Sequence, residues 1–260
     1  MEDITPLSLA GSVLRSTDPA AIGDIDWVVL SLERLPGRLA RFWADNGALG
    51  LPIESVPATD GVDMDRQELA QLDLLLPDQM HGWTDDAIGN AFSHWLCWHR
   101  AVESNRPICI LEDRALLRRD FVSRLPGLLA AMPPGWDLLH LGNNTNSIVE
   151  FKITPDCTLH GEFAGPFVSA TSLEIFAGTV DAVAPLRLHN AFGSFAYVVS
   201  PAGAQRLIDA CFPLAANVIT LSPRQHAQLW AVTVDGLMNR VYQSIEAYLC
   251  FPPIALPTSD

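Results

Sequence analysis

The sequence predicts an α/β domain with a mostly parallel central sheet and helices on both faces. Two observations support this prediction. Short apolar runs without strict alternation are typical of strands that are covered on both faces, and stretches with the apolar spacing of helices lie between these runs. Of the 260 residues, 49% are hydrophobic and 18% are charged, which is enough apolar material for a large core. The predicted strands are residues 26–32, 107–111, 136–141, 195–200 and 247–250.

Three helices are predicted from apolar spacing and flanking residues. The first covers about residues 35–46 and ends before Gly47, because glycine often terminates a helix. The second covers residues 87–104, and the third runs from Pro201 to about residue 211, because proline favours the first helical turn. In an α/β fold of this kind, ligands bind outside the carboxyl ends of the strands.

The helix at residues 87–104 has two faces with different predicted roles. A stripe of larger residues is expected to face the core, which makes His99 a core histidine and leaves His94 off that stripe. Gly89, Ser93 and Cys97 recur every four residues on the other side, and such small residues allow another backbone to approach closely. The core-facing stripe consists of Ile88, Phe92, Trp95, Leu96, His99 and Val102.

Residues 1–23 are predicted to be an extension that precedes the domain at residues 24–260. The least regular stretch, residues 143–190, contains several Gly, Pro, Thr and Ser residues and is expected to form loops that close over a ligand. The amino terminus is acidic where a secretory leader is basic, and no apolar run reaches the ~18 residues that a membrane span needs. We therefore expect a cytoplasmic protein without a transmembrane segment.

Charge and cysteine usage narrow the classes of function. The chain carries 16 basic and 30 acidic residues, a net charge of −14, which argues against a nucleic-acid partner or a polybasic membrane anchor. A local arginine site for a small phosphate ligand is still compatible with this charge.

The cysteines are odd in number and contain no Cys-x-x-Cys pair, so we expect buried thiols rather than zinc ligands or disulfides. They are Cys97, Cys109, Cys157, Cys211 and Cys250.

The strongest local feature is the end of the second predicted strand, where Glu112, Asp113 and Arg114 follow an apolar run. A carboxylate pair at a strand end can hold a divalent cation, such as magnesium or manganese, that bridges a diphosphate. The residues alone also allow a structural interpretation. In that interpretation Glu112 and Asp113 begin a turn, Asp113 caps the next helix, and Arg114 forms an ion pair in solvent.

Arg34 and Arg38 lie four residues apart at the start of the first predicted helix. Free backbone N–H groups and two guanidinium groups make this corner a candidate anion site, whereas the alternative is a solvated helix face on which Glu33 pairs with an arginine. His94 is a candidate hydrogen-bond donor to a phosphate or a residue that orients a neighbouring loop, and a purely structural role is equally compatible with the sequence.

In their order and spacing, these features resemble glycosyltransferase family 25, which includes lipooligosaccharide and collagen galactosyltransferases. The resemblance extends from Asp26 to Ala255, and no single motif carries it. In chain order the motifs are Ser31-Leu32-Glu33-Arg34 with Arg38, Ala58-Thr59-Asp60-Gly61, Gly89-Asn90-Ala91-Phe92-Ser93-His94 with Trp98, Leu111-Glu112-Asp113, residues 136–142, residues 196–200, and Val234-Asp235 before Pro252-Pro253.

The resemblance implies a GT-A-like fold and inverting transfer of a hexose, galactose or glucose, from a UDP-sugar to a hydroxyl of a glycan or glycoconjugate. By position, Glu112 and Asp113 would hold a divalent metal, manganese or magnesium. Asp235 would be the catalytic base, although its position also suits a helix N-cap. The residues implied in binding the nucleotide sugar are Ser31, Arg34, Arg38, Thr59, Asp60, Gly61, Gly89, Ser93, His94 and Arg114.

One departure from the family pattern leaves the chemistry open. The acidic strand end of the family reads Glu-Asp-Asp, and Arg114 replaces its third carboxylate. Arg114 could neutralise the diphosphate in place of a metal, Asp113 could hold a metal alone, or the site could bind a nucleotide sugar without catalysis. A metal-dependent hydrolase that uses Glu112 and Asp113 with His94 or His189 is a further alternative, because a fold does not determine a reaction.

Overall fold

The computed structural model describes residues 22–163, 169–221 and 228–258. Its strands are β1 (Asp26–Ser31), β2 (Glu54–Pro57), β3 (Ile108–Glu112), β4 (Ala115–Leu117), β5 (Leu138–His140), β6 (Ile148–Thr154), β7 (Cys157–Glu162), β8 (Ala184–Ala191), β9 (Ala196–Val199), β10 (Asn217–Thr220), β11 (Gln228–Ala231), β12 (Ala247–Phe251) and β13 (Ala255–Pro257). Its α-helices are α1 (Pro36–Asn46), α2 (Arg66–Gln71), α3 (Asp85–Ser104), α4 (Phe121–Ala130), α5 (Ala170–Ala177), α6 (Pro201–Cys211) and α7 (Val234–Met238). Nearly all of the predicted 1–23 extension lies outside the described residues.

A nine-stranded sheet with the order β2-β1-β3-β9-β5-β12-β8-β6-β7 forms the centre of the fold. Strands β1, β2, β3, β5, β6 and β12 run in one direction, and β7, β8 and β9 run in the other. The predicted α/β class with its mostly parallel sheet is confirmed. The five predicted strands are β1, β3, β5, β9 and β12, which are neighbours in the middle of the sheet.

The central strands are covered on both faces, as their continuous apolar sequences predict. In β1, Val28 and Leu30 pack into one hydrophobic cluster with residues of α3, α6 and α7. The alternate residues Trp27 and Val29 pack into a second cluster with residues of α1 and α4 on the opposite face. Helices therefore cover both faces of the sheet.

The predicted orientation of α3 is wrong in part. His94 has no exposed surface, whereas Leu96 from the predicted core stripe is 54% exposed. The reason is that α3 is buried on more than one side, because it packs against α6 and against the short 3₁₀ turn at residues 61–63 as well as against the sheet. Those contacts bury His94, which the sequence pattern places off the core stripe, and leave Leu96 at the surface.

Two further expectations are corrected. Most of the described part of residues 143–190 is regular structure rather than loops: β6, β7 and β8 extend the sheet at one edge, and α5 covers residues 170–177. Asn144 lines the cleft, and residues 164–168 lie outside the described residues. Four of the cysteines are buried, but Cys157 is exposed because it begins the edge strand β7. Among the described helices, none combines the length and the apolar character that crossing a lipid bilayer requires.

Candidate functional site

A cleft of about 580 Å³ lies where β1, β2 and β3 end. Register places Leu30 opposite Glu112 and Ser31 opposite Pro57, so the carboxyl ends of these parallel strands meet at one edge of the sheet. The Asp113 backbone N–H donates to the carbonyl oxygen of Leu30 at 3.0 Å and ties the residues after β3 to β1. The volume is within the range of small-molecule sites, and the location follows the rule for α/β folds.

Most of the residues selected from the sequence line this cleft. Those that line it are Arg34, Arg38, Thr59, Asp60, Gly61, Ser93, Glu112, Asp113, Arg114 and Asp235. Three others, Ser31, Gly89 and His94, are not part of the cleft lining and contact residues that are. The Ser31 hydroxyl donates to Asp113 Oδ2 at 2.7 Å. Ser31 therefore orients the Asp113 carboxylate.

Gly89 allows α3 to approach the segment after β2 closely. A Cβ atom at Gly89 would lie 2.5 Å from both the Gly61 backbone nitrogen and the Thr59 carbonyl oxygen. Next to this contact, the backbone N–H of Thr59 donates to Ser93 Oγ at 2.8 Å. The predicted close approach of a second backbone to the small residues of this helix is confirmed for Gly89 and Ser93, and it forms one wall of the cleft.

We expect Gly89→Ala to lower the free energy of unfolding by about 1–3 kcal/mol or more, because the new methyl group overlaps backbone atoms that cannot move separately. Helix propensity alone would favour alanine by up to ~1 kcal/mol, so a measured loss of stability can be attributed to the steric overlap. Chemical denaturation measures the change. The matched control is Gly37→Ala in α1, where no heavy atom lies within 4 Å of the new Cβ, and it should be neutral or stabilising.

Glu112 is held by protein donors on both of its carboxylate oxygens. Its Oε1 accepts hydrogen bonds from Ser194 Oγ at 2.6 Å, Asn90 Nδ2 at 3.3 Å and His94 Nε2 at 3.3 Å. Its Oε2 accepts from Arg114 Nε at 3.0 Å. Burial alone would raise the pKa of Glu112, but the charge of Arg114 and two of these hydrogen bonds outweigh it and hold that pKa well below its ordinary value. Glu112 is therefore ionised and fixes Arg114 at the cleft.

The tautomer of His94 follows from its buried neighbours. The Trp98 indole N–H donates to the Tyr197 hydroxyl at 2.8 Å, and the same hydroxyl lies 2.8 Å from His94 Nδ1. Since the indole can only donate, the Tyr197 proton is directed to Nδ1, which acts as the acceptor. Because the ionised Glu112 carboxylate can only accept, Nε2 of His94 carries a proton and donates to Glu112. His94 positions Glu112 from the buried side of that residue and does not line the cleft.

The two carboxylates at the end of β3, those of Glu112 and Asp113, do not fit a two-carboxylate metal site. Each oxygen of Glu112 already faces N–H or O–H donors, and one of these donors is the guanidinium of Arg114. Oδ2 of Asp113 accepts the hydrogen bond from Ser31. The described residues contain no group of three or more His, Cys, Asp or Glu side chains arranged to hold a metal ion. A cation at Glu112 would have to displace several hydrogen bonds.

The arginine at the start of α1 forms ion pairs across the cleft. Arg34 Nε lies 2.5 Å from Asp60 Oδ2, and Arg34 Nη2 lies 2.9 Å from Asp86 Oδ1. This observation replaces the alternative that Glu33 is its partner. Asp60 also accepts from the Val62 backbone N–H at 3.3 Å, which caps the short 3₁₀ turn. Arg34 is 45% exposed and Asp86 is 78% exposed, so water and a bound ligand can both reach this pair.

Asp235 lies in the first turn of α7, but the N-cap of this helix is Thr233, whose hydroxyl accepts from the Gly236 backbone N–H. The structural alternative, in which Asp235 is the N-cap of this helix, is therefore wrong. Its Oδ2 accepts from the Gly193 backbone N–H at 2.9 Å, and its Oδ1 accepts from that of Gly236 at 2.9 Å. These bonds fix the carboxylate at the cleft wall, and each oxygen keeps a further lone pair.

Sequence reasoning missed several polar residues of the cleft, and it proposed two histidines that do not line it. Ser194 reaches Glu112 because β9 pairs antiparallel with β3 and the Glu112 N–H donates to the carbonyl oxygen of Phe195 at 2.8 Å. No local sequence signal locates Ser194, because the pairing of β9 with β3 is a tertiary feature. His94 contacts Glu112 without lining the cleft, and His189 does not line it either, so the described cleft lining contains no histidine for the hydrolase alternative. The other missed polar residues are Thr84, Asp86, Asn90, Asn144, Thr233 and Thr258.

Comparison with known proteins adds an independent finding. The family model described as glycosyltransferase family 25 (LPS biosynthesis protein) matches residues 25–221. Glycosyltransferase 25 family members of Aedes aegypti and Anopheles gambiae are each 31% identical to this chain over 123 residues. These alignments cover 44% of this chain and 20% and 21% of the two relatives. The chain thus spans about a fifth of the length of the curated relatives it matches.

Proposed function

Because the chain belongs to glycosyltransferase family 25, we propose that it transfers a hexose, galactose or glucose, from a UDP-sugar to a hydroxyl of a glycan or glycoconjugate with inversion. The observation that carries this proposal is the cleft at the strand ends, which holds an arginine fixed by Glu112 and, on a separate wall, the carboxylate of Asp235. An inverting transfer needs these two elements: a positive charge for the departing diphosphate and a base for the acceptor hydroxyl.

We assign the nucleotide to the wall formed by the ends of β1 and β2 and the start of α3. This wall contains Thr59, Asp60 and Gly61. They lie where the missing side chain of Gly89 allows the backbone of α3 to contact the backbone of this segment. The Asp60 carboxylate, 16% exposed, is suited to accept a hydrogen bond from a ribose hydroxyl. Arg34 lies beside it, and a bound diphosphate would compete with Asp86 for this guanidinium.

We propose that Arg114, rather than a metal, stabilises the leaving diphosphate. Its Nε donates to Glu112, which holds the planar guanidinium at the cleft, and the fork of N–H donors in a guanidinium matches the oxygens of a diphosphate. Glu112 is itself held by Ser194, Asn90 and His94, which limits the movement of Arg114 during the reaction. Charge that is fixed before the reaction stabilises a transition state without a reorganisation cost.

Asp235 is our candidate for the general base. The two backbone N–H groups that bind its carboxylate orient it without neutralising it, and its remaining lone pairs are available to accept the proton of an acceptor hydroxyl. The proton moves to Asp235 as the hydroxyl oxygen attacks the anomeric carbon, and the bond from that carbon to the diphosphate oxygen breaks on the opposite side. These movements conserve charge and account for inversion.

A second candidate is a non-catalytic nucleotide-sugar binding protein, which the replacement of a carboxylate by Arg114 favours. We expect UDP to bind in calorimetry with equal affinity in manganese and in excess chelator, and we expect purified protein to release UDP slowly from UDP-galactose or UDP-glucose. Binding without turnover would support the non-catalytic candidate. Binding that the chelator abolishes would contradict the role of Arg114, and absence of UDP binding in both conditions would contradict both candidates.

A further inference from the structure

An exposed tryptophan lies on the two-stranded ribbon formed by β10 and β11. Trp230 is 61% exposed, and the ring of His81 packs against it edge-on, with the ring centroids 4.9 Å apart and the planes at 77°. Contact between the two rings restricts the rotation of the indole, and most of the Trp230 surface remains open to solvent. We call Trp230 and His81 the aromatic pair. A single exposed apolar residue is common on protein surfaces and does not by itself indicate a binding site. The position of Trp230 relative to the cleft is therefore the observation that matters.

The aromatic pair is connected to the cleft through two adjacent chain segments. A Cβ atom at Gly82 would lie 3.1 Å from Cγ1 of Val232, so the segments that carry His81 and Trp230 run side by side. Two residues after Gly82, Thr84 lines the cleft, and one residue after Val232, Thr233 lines it as well. Three residues span at most about 10 Å, so each member of the aromatic pair lies within about 10 Å of a residue that lines the cleft, close to the rim on the side that carries Thr233 and Asp235.

The two described strands that flank Trp230 carry uncharged side chains, some of which offer hydrogen-bonding groups. Cross-strand register pairs Val218 with Trp230 and Thr220 with Gln228, so these four side chains share one face of the ribbon. Neither described strand of the ribbon contains a charged residue. An indole face beside hydroxyl and amide groups suits the apolar C–H face and the hydroxyls of a neutral sugar ring.

We propose that Trp230 is a stacking platform for a neutral hexopyranose unit of the acceptor, held by His81 and flanked by Thr220 and Gln228. This inference rests on the proposed function, because it assigns the acceptor to the side of the cleft that carries the base. A sugar ring stacked on Trp230 extends from the rim toward Asp235, and its neighbouring unit can then present a hydroxyl to that carboxylate.

The test uses the full chain labelled with ¹⁵N, saturated with UDP, and titrated with lactose, cellobiose and maltose. The indole N–H signal of Trp230 is assigned by its loss in Trp230→Phe. We expect at least one disaccharide to shift this signal saturably, and we expect Trp230→Ala to weaken that binding by about 3- to 10-fold or more. The matched control is Leu229→Ala, an exposed residue on the opposite face of the same strand, which should not change disaccharide affinity.

Other outcomes would contradict the proposal that Trp230 stacks on a sugar ring. It is overturned if none of the disaccharides moves the Trp230 signal, or if Trp230→Ala binds them as the unsubstituted protein does. It is also overturned if sedimentation shows a dimer that Trp230→Ala dissociates, because the indole would then contact a second copy of the chain. UDP calorimetry on Trp230→Ala should give unchanged affinity. Failure of UDP to bind the unsubstituted protein would instead contradict the proposed function, so the two failures are distinguishable.

Discussion

Asp235→Asn is expected to lower the rate of UDP release from UDP-galactose or UDP-glucose by about 10²–10⁴-fold, because an amide cannot accept the proton that the attacking hydroxyl or water loses. The affinity for UDP should stay within about twofold, since Asp235 lies on α7 and not on the wall assigned to the nucleotide. Initial rates at saturating donor, together with calorimetry of UDP, measure the two effects separately.

The substitution also has a structural cost that must be separated from the catalytic one. The amide of asparagine can satisfy only one of the two backbone N–H groups that now bind Asp235, which should cost about 1 kcal/mol of stability. Thermal denaturation checks that the variant is folded. Asp86→Asn makes the same chemical change at an exposed cleft residue and should alter the rate only a few-fold. If Asp235→Asn retains more than a tenth of the rate, Asp235 is not the base.

Arg114→Ala is expected to weaken UDP binding by about 10- to 100-fold, as the loss of charged hydrogen bonds to the diphosphate predicts. Binding of uridine, which has no phosphate, should be unchanged. The variant should remain folded, because Glu112 keeps hydrogen bonds from Ser194, Asn90 and His94. Calorimetry with UDP and with uridine measures the difference, and equal losses for both ligands would place Arg114 outside the diphosphate site.

Two further variants strengthen this prediction. Arg119→Ala removes one positive charge at an exposed site where the partner is Glu174, and it should leave UDP affinity unchanged. Arg114→Asp adds a carboxylate beside Asp113 and frees Oε2 of Glu112 from its guanidinium partner, so manganese should then increase UDP affinity. A variant that binds UDP no better with manganese would indicate that the remaining carboxylates cannot be assembled into a metal site.

The members of the candidate site were largely predictable because they lie at strand ends. An apolar run that stops at Glu112 and Asp113 marks the edge of the sheet in the sequence itself, and β1 ends in the same way before Arg34. The ion pairs of Arg34 with Asp60 and Asp86 were not predictable, because these residues are 26 and 52 positions away along the chain. The burial of His94 was missed for the same reason, since its partner Tyr197 comes from β9.

The sequence by itself determined the central strands, three of the helices that cover them (α1, α3 and α6) and the order of the motifs, because apolar periodicity and helix signals are local properties of the chain. The tertiary structure decided that β9 runs antiparallel beside β3, which brings Ser194 to Glu112 and Tyr197 to His94. It also decided that the small face of α3 is buried against residues 59–61. These features depend on register and packing between distant segments, which no local pattern specifies.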